Sequence, residues 1–441
     1  MRIKLIASKL GPVIIYKQIR EYVSKEIVNM NLSFPIILDG ATGTELQKKG
    51  MKGNTCPEQW VIDHPDALKD IQSRYIEAGS NIIYASTFTA TEHKLSEHGI
   101  KGCCAKFNTE LVEISREAAA GRALVAGDMS PLGMFLKPFG DADFEDMYEQ
   151  YIEQAEALES AGVDLYVIET MTSVPEMRAA VLAVRAVSNK PIIATLTCDE
   201  RGYTLTGTDV CAASQILEGM NVWAVGLNCS FGPDKMLEQL RRMSMYTSLP
   251  LVAKPNAGMP TVIDGELVYS MKPEELASYV PDFARAGVAV FGACCGSDDS
   301  YISAIRSASD GFDEIYDADG RRPYNTGRSE MLPLATERQA FTLPADAAPG
   351  TVIACDDSFE DALEDIMDGD DVLVTVSFNS IEQVEDFKLL QHNIRKPLCI
   401  QCEDEAVLEA VLRSYQGRAM YDGNLDEGFL RSMADKYGLV Y

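Results

Sequence analysis

Val288-Ala289-Val290-Phe291-Gly292-Ala293-Cys294-Cys295-Gly296 is the stretch on which the fold turns. Four uncharged, mostly branched or aromatic residues make a short run suited to a strand buried on both faces. The glycines that follow end the strand in a turn, and that turn carries two adjacent thiols. An apolar run that stops at a chemically active, glycine-rich segment fits a parallel strand whose C-terminal end opens onto a site.

Seven earlier runs repeat this grammar, at residues 35–38, 81–84, 123–126, 163–168, 191–195, 222–225 and 251–253. Most are followed at once by a polar or glycine-rich signature. Asp39-Gly40-Ala41-Thr42-Gly43-Thr44 follows the first, Ser86-Thr87-Phe88 the second and Asp128-Met129-Ser130-Pro131 the third. Glu169-Thr170-Met171 follows the fourth, Asn228-Cys229-Ser230 the sixth and Lys254-Pro255-Asn256-Ala257-Gly258 the seventh. Helical patterns lie between. Asp66 is placed to cap a helix that runs to Gly79, and another spans 143–160 with a stop near Gly162. Pro175 sits inside a helix start, and further helices are expected over 209–219, 233–242 and 273–286. Eight alternations over roughly 270 residues predict a (β/α)8 TIM barrel. A doubly wound open sheet is the competing arrangement that periodicity alone leaves open.

Cys229, Cys294 and Cys295 share this expected rim. Three thiolates with one open position describe a zinc site that binds and activates a ligand, whereas a fourth fixed ligand would make it structural. Small buried core cysteines are the plain alternative. Cys103-Cys104 falls at a helix start away from the rim and reads as structural, as do Cys56, Cys198, Cys211, Cys355, Cys399 and Cys402. His64, ahead of Pro65, reads as a helix cap.

Composition limits the rest. Apolar residues make up 46% and charged residues 24%, an ordinary globular balance. Eleven cysteines cannot all pair within one chain, and no secretory signal precedes them, so reduced thiols in a cytoplasm are expected. A net charge of −28 argues against nucleic acid as a partner, and no apolar run is long enough to span a membrane. Residues 1–34 read as a mildly basic N-terminal extension without an assigned function, and residues 35–325 as the barrel. Residues 326–441 read as a smaller α/β domain, with helices near 359–367, 381–391, 405–415 and 427–436 and strands near 372–376 and 397–401. Between Arg338 and Lys388 there are thirteen acidic residues and no basic one, either a solvated face or a docking surface for a basic partner.

Leu38-Asp39-Gly40-Ala41-Thr42-Gly43-Thr44-Glu45, Cys56-Pro57-Glu58, Ala126-Gly127-Asp128, Ile168-Glu169-Thr170-Met171, Leu205-Thr206-Gly207-Thr208, Gly226-Leu227-Asn228-Cys229-Ser230, Pro255-Asn256-Ala257-Gly258-Met259-Pro260 and Cys294-Cys295-Gly296 occur in this order. In them the chain from 35 to about 300 resembles the homocysteine S-methyltransferase family, and within it the homocysteine-binding module of cobalamin-dependent methionine synthases. The resemblance implies a barrel in which Cys229, Cys294 and Cys295 hold Zn2+, with homocysteine's sulfur in the open position and Asn256 as an interim oxygen ligand. It implies that Glu169 receives the substrate ammonium and that Asp39, Thr170, Ser86 and Asn228 line the substrate pocket.

The implied chemistry is simple. A free thiol with a pKa near ~8.5 is largely protonated at neutral pH, and coordination to zinc removes that proton. Three cysteine thiolates leave the centre at −1, and a bound substrate thiolate makes it −2, which keeps the fourth sulfur nucleophilic. Attack on an electrophilic methyl group then gives methionine, a neutral thioether and a poor ligand. The expected donor is methylcobalamin on a separate corrinoid protein. A small onium donor such as S-methylmethionine or betaine is the first alternative, and a non-catalytic zinc- and homocysteine-binding subunit the second.

Two departures stand out. Ser86-Thr87-Phe88-Thr89-Ala90-Thr91 replaces the Asn-Thr-Phe-Gly-Ala-Asn usual in methionine synthases, which alters one pocket wall. Pro397-Leu398-Cys399-Ile400-Gln401, Leu408-Glu409-Ala410-Val411-Leu412 and Gly417-Arg418-Ala419 resemble the opening of a pterin-binding barrel, but too few residues follow for a second barrel or a folate site.

Overall fold

The computed structural model describes Met30 and residues 32–137, 140–263, 266–312 and 331–441. The domain boundary at 325/326 and most of the N-terminal extension lie outside these residues.

Eight parallel strands form one sheet: β1 (Ile36–Ile37), β2 (Ile82–Tyr84), β3 (Leu124–Met129), β4 (Leu165–Met171), β5 (Ile192–Leu196), β6 (Ala224–Cys229), β7 (Leu251–Pro255) and, after a short β8–β9 hairpin (Thr261–Ile263 and Glu266–Val268), β10 (Val288–Phe291). Their order is β1-β10-β7-β6-β5-β4-β3-β2, a sheet rolled so that its ends meet. At that seam the Asn81 amide donates to the Ile37 carbonyl at 2.7 Å, and Ile37 donates back to Asn81 Oδ1 at 2.8 Å. Asp39 Oδ2 accepts the Tyr84 amide at 2.8 Å, so the first expected site residue also closes the barrel. The result is a (β/α)8 TIM barrel, and the open-sheet alternative is set aside.

The strands bury nearly every side chain, as near-continuous apolar runs require when helices cover the outside and packed residues fill the inside. That outer layer comprises α1 (Thr42–Lys48), α2 (Pro57–Asp63), α3 (Pro65–Glu77), α4 (Glu92–Glu97), α5 (Cys104–Ala119), α6 (Phe144–Ala161), α7 (Val174–Val187), α8 (Val210–Gly219), α9 (Pro233–Met243), α10 (Pro273–Ala277), α11 (Val280–Ala286) and α12 (Asp299–Ser309). Asp143 heads α6 with a reciprocal capping box, and Gly162 ends it in the left-handed region at φ 77°. Asp66 lies inside the first turn of α3 rather than capping it, because Pro65 already occupies the first helical position. His64 stands at the cap position, yet its side chain turns back to the Trp60 carbonyl and stacks on the Trp60 ring. The single helix expected over 273–286 is two helices. Pro281 has no N–H to continue the ladder, so the chain restarts at Val280.

Beyond residue 330, β11 (Met331–Ala335) and β12 (Ala340–Pro344) form an antiparallel hairpin. Four β/α units follow: β13 (Val352–Ala354), α13 (Phe359–Asp368), β14 (Val374–Ser377), α14 (Glu382–Leu390), β15 (Leu398–Gln401), α15 (Glu405–Ser414), β16 (Met420–Tyr421) and α16 (Glu427–Tyr437). Their strands are parallel and in sequential order, the arrangement of half a (β/α)8 barrel. Hairpin residues Leu332, Leu334 and Leu343 cluster with Leu373 and Val440.

Candidate active site

β6 and β10 are not neighbours, so something must bring Cys229 to Cys294 and Cys295. The end of β7, which lies between them, does so. The Asn256 amide donates to the Phe231 carbonyl at 3.2 Å on one side. On the other, Cys294 donates to the Pro255 carbonyl at 2.7 Å and Ala257 to the Cys295 carbonyl at 3.0 Å. The three sulfurs fall within 4.8 Å of one another, and Cys229 Sγ is 4.0 Å from Cys295 Sγ. Cys229 and Ser230 are both left-handed, at φ 56° and 55°, a conformation that non-glycine residues hold only where their surroundings enforce it. Gly296 is left-handed too, and a Cβ there would lie 2.2 Å from the Tyr269 ring. The glycine that ends the sequence signature is needed for that close approach.

The sulfurs sense one another strongly. The Cys295 thiol is held far below its usual range because Cys229 and Cys294 both turn S–H donors toward it. Its contacts with Cys294 and with Cys295 push Cys229 up. Three mutually adjacent thiols, one already poised as thiolate, are a donor set suited to zinc. Asn256 adds to the fit: it is 4% exposed, and its Oδ1 has no hydrogen-bond donor.

Beneath the sulfurs lies a cage of buried charge. Lys254, 3% exposed, places Nζ 3.1 Å from Asp39 Oδ1, 3.5 Å from Glu169 Oε2 and 3.8 Å from the centre of the Tyr84 ring. Burial works against its charge, but Asp39 and Glu169 outweigh burial and hold the ammonium protonated. Asp128 completes the group, with Oδ1 buried and unpartnered. Burial raises all three carboxyls. Glu169 reaches about 7, with Lys254 pulling it down and Cys294 pushing it up. Asp128 is raised further by Glu169 beside it, and Asp39 rises despite Lys254. One lysine thus faces three buried carboxyls, all of them raised.

Of the other expected residues, Thr170 is left-handed at φ 61° and hydrogen-bonded to Asn228, which is fully buried. Ser86 is buried at the end of β2. Thr89, in the altered wall, donates its amide to Glu58 Oε1 at 2.9 Å and its hydroxyl at 2.6 Å. Cys198 reaches the rim, where its amide bonds Ser230 Oγ, but it stands outside the triad. Cys104 bonds the Ala90 carbonyl at the head of α5, remote from the triad. Lys254, Asp128 and Tyr269 received no role from the sequence. Their signals were a charge at the end of an apolar strand, twice, and a tyrosine beside no motif.

Three converging thiols thus lie on the C-terminal rim of a (β/α)8 barrel, above a buried acid–lysine cage. Residues 36–309 match the family model described as homocysteine S-methyltransferase, and the chain belongs to that family. It is 30% identical over 290 residues to methionine synthase of Mycobacterium leprae (strain TN), covering 61% of this chain and 24% of that protein. Against methionine synthase of Mycobacterium tuberculosis (strain ATCC 25618 / H37Rv) it is 27% identical over 425 residues, covering 88% of this chain and 35% of that protein. The chain thus spans about a quarter to a third of these relatives. Among solved structures, the homocysteine methyltransferase MmuM from Escherichia coli aligns at 24% identity in its oxidized and metallated forms, with TM-scores of 0.54 and 0.53. Each alignment covers 62% of this chain and 96% of that one, a likeness of fold.

Proposed function

We propose that the protein transfers a methyl group to the thiol of homocysteine, giving methionine, at a zinc ion held by Cys229, Cys294 and Cys295. The observation that carries this reading is the convergence of the three sulfurs from non-adjacent strand ends within 4.8 Å. Asn256, with its donor-free Oδ1, is the candidate fourth ligand. Zinc, when bound, supplies a Lewis acid that keeps an acceptor thiol ionised at neutral pH.

The chain's own residues then orient the acceptor. Glu169 receives its ammonium, Asp39 lines the pocket beside it, and Lys254, ion-paired with both, fixes the positions of the two carboxylates. The acceptor sulfur attacks the donor methyl carbon, a C–S bond forms, and the carbon's bond to the donor breaks with its electron pair. The product thioether is neutral and departs. The donor assigned is a methylated corrinoid on a carrier protein, on the strength of the likeness to methionine synthases. The wall at Ser86–Thr91 supports this over an onium donor, since Phe88 is its single aromatic residue and an onium methyl calls for an aromatic cage.

The test is zinc content and methionine formation from homocysteine and methylcobalamin, for the wild type and Cys294→Ser. One zinc per chain with turnover, and loss of most of both in the variant, is expected. Full zinc retention in Cys294→Ser would sink the assignment. Zinc without turnover on methylcobalamin transfers the reading to S-methylmethionine or betaine as donor. Silence with those as well points to the non-catalytic subunit.

A further inference from the structure

Asn228 immediately precedes Cys229, is fully buried, and has every hydrogen-bonding position of its carboxamide taken by the chain itself. Oδ1 accepts the Thr170 amide at 2.8 Å and the Thr195 hydroxyl at 3.0 Å. Nδ2 donates to Thr170 Oγ1 at 2.8 Å and to Glu169 Oε2 at 3.3 Å. Two acceptor sites and two donors are all that an amide side chain offers. Asn228 therefore has nothing left for a substrate, contrary to a direct contact role.

What it does instead is join two ends of the pocket. Through Thr170 and Glu169 it grips the end of β4, and through its own backbone it carries Cys229 at the end of β6. Both segments are strained. Five non-glycine residues among those described have positive φ, and three of them, Thr170, Cys229 and Ser230, lie in these two segments. Each such residue persists only when neighbours over-determine it. The Asn228 carboxamide bonds Thr170 directly, and the Asn228 backbone, whose carbonyl accepts the Ser230 hydroxyl at 3.2 Å, leads into Cys229 and Ser230.

We propose that Asn228 is a positioning residue that fixes the separation of the Glu169 carboxylate from the Cys229 sulfur, and thereby selects the length of aminothiol the site accepts. The inference rests on the reading that the acceptor's ammonium meets Glu169 while its sulfur meets the metal. Homocysteine and cysteine differ by one methylene, about 1.5 Å of reach, and hydrogen bonds weaken steeply over smaller displacements. A rigid separation lets the longer molecule satisfy both ends and leaves the shorter one with only one end satisfied.

Calorimetric titration of zinc-loaded protein with homocysteine and with cysteine tests this, in the wild type, Asn228→Asp and Thr195→Val. Asn228→Asp keeps the shape but sets an oxygen against Glu169 Oε2. Zinc content should stay at the wild-type value, homocysteine affinity should fall about tenfold, and the preference for homocysteine over cysteine should shrink by a similar factor. Thr195→Val removes a single bond to Oδ1 and should show the same trend at about two- to fivefold, which keeps the test alive if Asn228→Asp does not fold. An unchanged preference in both variants overturns the inference. So does loss of zinc in Asn228→Asp, which would restrict the residue to supporting the metal loop. A wild type that binds zinc but neither aminothiol overturns both the inference and the reading beneath it.

Discussion

Glu169 shows how a single carboxyl is tuned by where the fold puts it. Burial and the Cys294 sulfur raise it, Lys254 lowers it, and the balance settles at about 7 against an ordinary 4.5. The folded protein therefore holds the Glu169 proton more tightly than the unfolded chain does. The stability tied to that proton is fully present below about 4.5 and is lost as pH rises through about 7. Metal-free wild type should lose stability relative to Glu169→Gln across this window, by on the order of 2 kcal/mol. Melting temperatures of both proteins between pH 4.5 and 8 read it out, and parallel curves would show that Glu169 does not carry the proton. In the proposed reading, the acceptor's ammonium would offset the negative charge on this carboxyl. A site that is costly when empty and balanced when filled is the electrostatic form of substrate preference.

At the scale of elements, the contact between α8 and the turn after α16 sets two rules against each other. Gly219 closes α8, where alanine would improve helix propensity by about 1 kcal/mol. Yet a Cβ on Gly219 would lie 2.9 Å from Gly438 Cα and 3.0 Å from Arg418 Nε, and one on Gly438 would lie 2.8 Å from Gly219 Cα. Backbone cannot swing aside as a side chain does, and overpacking of this kind costs about 1–3 kcal/mol. Overpacking wins: Gly219→Ala should lower stability to chemical denaturation by about 1 kcal/mol net, and a gain would refute the interlock. This pairing was not legible from sequence, because two unremarkable glycines more than two hundred positions apart carry it. The barrel strands were legible, since each has a short, mostly apolar run whose partners hardly matter to its reading. The sulfur triad was legible because its cysteines sit in glycine-bounded turns after such runs. Lys254 was not, since its ion pairs come from the turn after β1 and from β4, and alone it reads as a polar residue at a strand end. The β11–β12 hairpin was hidden by Pro333 and Pro344, which argue against strands, and by a turn, residues 336–339, without glycine or asparagine. β16 has two residues, too few to show any period.

For the molecule as a whole, the question is what holds the half-barrel unit to the barrel. Apolar residues of both belong to one continuous core, so the units share an interior rather than a wet seam. Arg178, on α7 of the barrel, is buried in that junction at 1% exposure. It donates to Gln416 Oε1 and to the Leu412 carbonyl, each at 2.9 Å, while its Nε has no acceptor. Burial draws its pKa down to about 10, so it stays charged at neutral pH. Arg418 answers from the other side, donating to the Gln215 carbonyl at 3.2 Å, and Asn221 donates to the Asp435 carbonyl at 2.8 Å. Arg413 pairs with Glu145 through two bonds of 2.6 Å, but this pair is partly exposed and contributes little. Arg178 therefore carries the larger share. Replacing it with Met relieves a desolvated charge, which favours the variant, and strands two buried acceptors, which costs about 1–3 kcal/mol each. Two stranded acceptors outweigh the relief, and the net loss should be on the order of 2 kcal/mol, centred on the junction. Arg178→Met should accordingly speed hydrogen exchange through α15 and α16 while leaving zinc content intact. α7 begins three residues after Met171, so the loosened junction should also reach the Glu169-Thr170 end of β4 as a modest fall in homocysteine affinity. Exchange rates in α15 and α16 that match the wild type would show that the shared apolar core alone holds the two units together.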